Sequence, residues 1–178
     1  MTQRFASIGI TDADDDEQRL HKTLLVASSA MIGLAAAVWG VIYLALDRPL
    51  AASIPLSYAV LSTISVATFA RLRRYELFRS SQLGLTLLLP FALALALGGL
   101  AGSSGVVLWS LTCPLGALVF AGYREARLWF LGFLTIMAAS FLLEPVVSDR
   151  AGLSNFTVVL FLAMNISAVS TIAFVLLQ

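Results

Sequence analysis

The side chains that ordinarily do chemistry are few in this sequence, and none has the neighbours its chemistry needs. The 178-residue chain holds one histidine, His21, and one cysteine, Cys113. Catalysis of the Ser/His/Asp or Cys/His kind would have to run through His21, which stands just ahead of the first apolar run. Cys113 lies inside an apolar run, so it has no partner for a disulfide and no companions for a zinc site. No catalytic residue, metal ligand or cofactor-binding residue is assigned, and the chain as given is expected not to be an enzyme.

Carboxylates are the better candidates for a binding site. Asp47, Glu144 and Asp149 are expected on one side of the protein, and Asp47 and Glu144 with Trp109 mark a candidate cavity for a cation or a polar ligand. The competing reading is that these acids are solvated loop charges paired with Arg48 and Arg150. Asn165 is the deepest strongly polar side chain in the last apolar run, and its amide should bond across to another helix or subunit. Small residues recur every fourth position at Ser29, Gly33 and Ala37, and again at Ala163, Ser167 and Thr171. Asn165, Ser167 and Thr171 are therefore candidates for helix packing or a dimer interface.

The elements that must position these residues follow from composition. Apolar residues make up 60% of the chain and charged residues 12%, against about 45–50% and about 25% in soluble domains. A soluble globule of this size is excluded. A net charge of +1 leaves no nucleic-acid footprint. Six apolar runs, near 24–46, 51–70, 83–100, 106–121, 128–143 and 156–177, are each long enough, or nearly so, for a membrane helix. The expected fold class is all-α: a polytopic membrane protein of six transmembrane helices, 24–178, behind a cytoplasmic tail, 1–23.

Charge placement sets the expected orientation. Arg4, Arg19, Lys22, Arg71, Arg73, Arg74, Arg79, Arg124 and Arg127 all fall in segments that six spans place inside, and only Arg48 and Arg150 fall outside. Both termini are then expected to be cytoplasmic. Trp39, Tyr43, Trp109, Tyr75, Tyr123 and Trp129 sit near the expected interfaces, where amphipathic rings anchor helices. Pro90 and Pro114 each remove a helical hydrogen bond and favour kinks. Ionisable groups are nearly absent from the runs, which weakens a transporter reading. The last run ends Phe174-Val175-Leu176-Leu177-Gln178 with no basic flank, so the sixth helix is expected to continue toward an effector domain.

The stretch Ser103-Ser104-Gly105-Val106-Val107-Leu108-Trp109-Ser110-Leu111-Thr112-Cys113-Pro114-Leu115-Gly116-Ala117-Leu118-Val119-Phe120 resembles the fourth-span region of the six-helix membrane domains that precede bacterial class III adenylate and guanylate cyclases. Arg124 to Phe130, with Trp129, continues the likeness. The resemblance implies a homodimeric anchor and receptor domain in the lipid bilayer. Its sixth helix would pass a signal from an unidentified ligand to a cytosolic cyclase domain in cis. The divalent metal and nucleotide of that family belong to the catalytic domain, so no catalytic residue carries over to this chain. Two other readings are the input domain of a histidine kinase-type receptor and a small transporter or channel subunit.

Overall fold

The computed structural model describes residues 8–11, 14–148 and 154–176. These residues are mostly helical, with no strand among them. The long helices are α1 (Asp16–Ala45), α2 (Pro49–Leu72), α3 (Tyr75–Ala96), α6 (Tyr123–Val147) and α7 (Asn155–Leu176). Between α3 and α6 lie a single turn, α4 (Gly99–Gly102), a 3₁₀ segment, Val106–Leu111, and a short helix, α5 (Thr112–Phe120). The five long helices are long and apolar enough to cross a membrane. They keep large apolar side chains exposed, among them Met31, Leu34, Val41, Phe141 and Phe156. Such a surface suits contact with a lipid bilayer.

The chain divides into two compact units, the first ending at Leu85 and the second beginning at Thr86, within α3. In the first unit, Asp15 caps α1 by accepting the Gln18 N–H at 2.7 Å. Ahead of that cap the chain is clasped to α1: the Lys22 ammonium donates to both Asp14 carboxylate oxygens at 2.7 Å and to the Gly9 carbonyl at 3.3 Å. The α1–α2 turn is tight, with Asp47 left-handed at φ 55° and Pro49 opening α2. Gly40 lets the two helices approach, because a Cβ there would overlap the Leu56 side chain. Tyr43, Ala51, Ala52 and Tyr58 fill this seam.

Helices α2 and α3 meet through polar and aromatic pairs. The Ser62 hydroxyl donates to Gln82 Oε1 at 3.1 Å, and the Ser65 and Ser81 hydroxyls lie 2.6 Å apart. Phe69 and Phe78 stack with centroids 4.6 Å apart and planes 6° from parallel.

In the second unit the helices are interrupted. Gly98 and Gly99 are both left-handed, at φ 94° and 85°, and they stop α3. The run expected at 83–100 is therefore a helix over Tyr75–Ala96, followed by a break. The run expected at 106–121 is not one regular helix. Pro114 has no N–H to return to the Ser110 carbonyl, and the residues before α5 wind as the tighter 3₁₀ form. The basic stretches expected as inner loops are largely helical. Only residues 73–74 separate α2 from α3, and only 121–122 separate α5 from α6.

Candidate functional site

The polar groups of the second unit converge on the interrupted segment 97–112. Such a segment leaves backbone N–H and C=O groups without helical partners, and burial makes each of them costly unless another group bonds it. Ser103, Ser104, Ser110 and Thr112 are all buried there. Three long helices contribute to holding it.

From α7, Asn165 inserts its amide into the segment. Its Nδ2–H donates to the Ser104 carbonyl at 3.0 Å, and its Oδ1 accepts the Trp109 Nε1–H at 3.0 Å. Asn165 is 2% exposed, so this amide is matched on both its donor and its acceptor side out of water. From α6, the Glu144 carboxylate accepts the Leu100 N–H at 2.6 Å and the Ala101 N–H at 3.2 Å. The carboxylate reaches them because Gly99 has no side chain; a Cβ at that position would overlap Glu144. From α3, the Leu87 carbonyl accepts the Ser110 hydroxyl at 2.8 Å.

The predicted residues are sorted by this geometry. Trp109 and Glu144 both act on the one segment, though with different partners. Glu144 has its two oxygens on backbone N–H groups, the arrangement of a structural clamp. Asp47 belongs to the first unit, where it is an exposed turn residue. Asp149, like Arg150, falls outside the described residues. Asn165 separates from its expected companions: it faces inward, while Ser167 and Thr171 are exposed and bond within α7, Thr171 Oγ1 donating to the Ser167 carbonyl at 2.8 Å. Cys113 is buried in α5. Among the described residues no three His, Cys, Asp or Glu side chains gather as a metal site would require.

Three polar roles escape a reading of the sequence, of which only that of Ser110 belongs to this segment. Ser110 looks like one more small residue in an apolar run. Gln82 was assigned to a loop by the expected start of the third span at residue 83, yet it lies well inside α3. Lys22 reads as a topology charge, and the structure also buries it against Asp14. The legible signal for Gln82 was the pair Ser81-Gln82 standing opposite Ser62 and Ser65 across a short turn.

No protein-family model, curated protein or solved structure matches the chain.

Proposed function

We propose that this chain is the membrane anchor and input domain of a bacterial class III adenylate or guanylate cyclase. It crosses the inner membrane six times, keeps both termini in the cytoplasm, works as a homodimer, and couples its last helix to a cytosolic cyclase domain. The observation that carries the reading is the double hydrogen bond of Asn165. It ties α7, the helix that would lead to the effector, to the interrupted segment whose sequence carries the resemblance. A ligand or membrane state that shifts that segment has a polar handle on α7. It would bias the output only through different affinities for the two arrangements.

The fourth crossing is supported by length. Six residues of 3₁₀ and nine of α-helix together rise about 25 Å, close to the hydrocarbon thickness of about 30 Å. The nine basic residues assigned inside then alternate correctly with the two outside.

The test joins α7 to a class III catalytic domain and measures cyclic-nucleotide synthesis in membranes. Asn165→Leu and Glu144→Ala should change the output at equal protein abundance. Cysteine-accessibility labelling should place both ends on the cytoplasmic side. If both variants leave dimerisation and output unchanged, the coupling role is lost. If the two ends label from opposite sides, the six-span topology is lost.

A further inference from the structure

The first unit carries a groove that the input-domain reading does not use. It runs between α2 and the start of α3, with a volume of about 210 Å³. Its floor is the stacked pair Phe69 and Phe78, both 2% exposed. Its walls are Leu61, Ile64, Leu72 and Leu77, all exposed. Of the hydroxyl residues in its lining, Ser65, Thr68 and Ser81, the first and last bond each other. The groove therefore offers hydrocarbon contact along its length and little to a polar ligand. At one end its lining includes Arg74.

Arg74 closes the two-residue α2–α3 turn, with Arg71 and Arg73 beside it in sequence. All three guanidinium-bearing residues are exposed, and none has an ion pair with a described carboxylate. Arg73 stands left-handed at φ 53°, a position that glycine or asparagine fills at lower cost.

We propose that this groove is a binding site for one anionic phospholipid. An acyl chain lies along Leu61, Ile64 and Leu77 over the Phe69–Phe78 floor, and the phosphate sits on Arg74. The match is one of shape and charge: a hydrocarbon slot ends in a cation at the turn between two membrane-length helices, where a lipid has its phosphate. The proposal rests on the reading of α2 and α3 as membrane spans. It is independent of any cyclase role.

The test uses the full chain in nanodiscs of phosphatidylcholine with phosphatidylglycerol as the minor component. Retained lipid is counted by native mass spectrometry after release from the disc. The wild-type protein should retain phosphatidylglycerol preferentially. Arg74→Gln should lower that retention about fivefold, the worth of one basic residue beside an anionic surface. Ile64→Trp, which fills the groove and keeps every charge, should lower it comparably. Arg124→Gln, a basic residue at the start of α6, should leave it unchanged. Equal retention of the two lipids overturns the proposal, and so does an equal loss in Arg74→Gln and Arg124→Gln, which marks general surface attraction. Retention that survives Ile64→Trp also overturns it. A chain released from membranes by alkaline extraction overturns the spanning reading and this proposal together, whereas the other outcomes overturn the proposal alone.

Discussion

The two units of the molecule handle buried polarity in opposite ways. In the unit ending at Leu85, long helices satisfy most of their own backbones, and side-chain polarity pairs mainly with other side chains: Ser62 with Gln82 and Ser65 with Ser81 between helices, and Lys22 with Asp14 in the clasp ahead of α1. In the unit beginning at Thr86, the backbone itself is broken at 97–105 and tightened at 106–111, so side chains must bond main-chain groups. Asn165, Glu144 and Ser110 each reach from their own element to another, and every one of these reaches includes a backbone partner. A membrane tolerates irregular backbone only where protein or water covers it. Loss of a seam pair in the first unit leaves regular helices standing. Loss of Asn165 in the second leaves the buried Ser104 carbonyl without that partner.

That contrast orders the effects of substitution. Asn165→Leu should be the most damaging, at about 3 kcal/mol, because it orphans both the Ser104 carbonyl and the Trp109 Nε1–H. Unfolding in detergent with denaturant measures it. Gly99→Ala should follow at about 2 kcal/mol: it strains a residue at φ 85° and displaces Glu144 from the Leu100 and Ala101 N–H groups. Gln82→Leu, which removes a side-chain pair from an intact helix seam, should cost only about 1 kcal/mol. Equal losses for Gln82→Leu and Asn165→Leu would break the comparison.

The smallest effect concerns the clasp ahead of α1. The Lys22 ammonium, and after it the Thr11 N–H, holds the Asp14 carboxyl at about 2, below its ordinary value of 3.8. A depressed carboxylate stabilises the fold above its ordinary pKa and loses that contribution as pH falls through the folded value. The clasp should stay closed above about pH 4 and open as pH drops toward 2. Hydrogen exchange at the Thr11 amide should accelerate in that window alone, and Asp14→Asn should make it fast at neutral pH. Exchange elsewhere in α1 should barely change.

The sequence was most legible where a single local property decides the outcome. Residues 24–46 and 51–70 read as helices because uninterrupted apolar runs of that length have few other stable forms. At 83–100 and 106–121 the apolar runs are not single regular helices. Hydropathy is blind to Gly98-Gly99 turning left-handed and to Pro114 withholding its N–H. It also begins a span at the first apolar residue, 83, although the helix already runs through residues 75–82.

Among the site residues, Asn165 could be singled out from sequence because a lone amide in an apolar run must find a partner. Its partners could not, since Ser104 and Trp109 stand 61 and 56 residues away. Composition and run length by themselves determined an all-helical chain with membrane-length helices, because burial and bilayer thickness act on each segment independently. Only the tertiary structure decided that Glu144 clamps a backbone, that Asn165 turns inward while Ser167 and Thr171 face out, and that Lys22 is paired. Those outcomes depend on which broken peptide group comes within about 3 Å of which side chain, a distance that packing between helices sets.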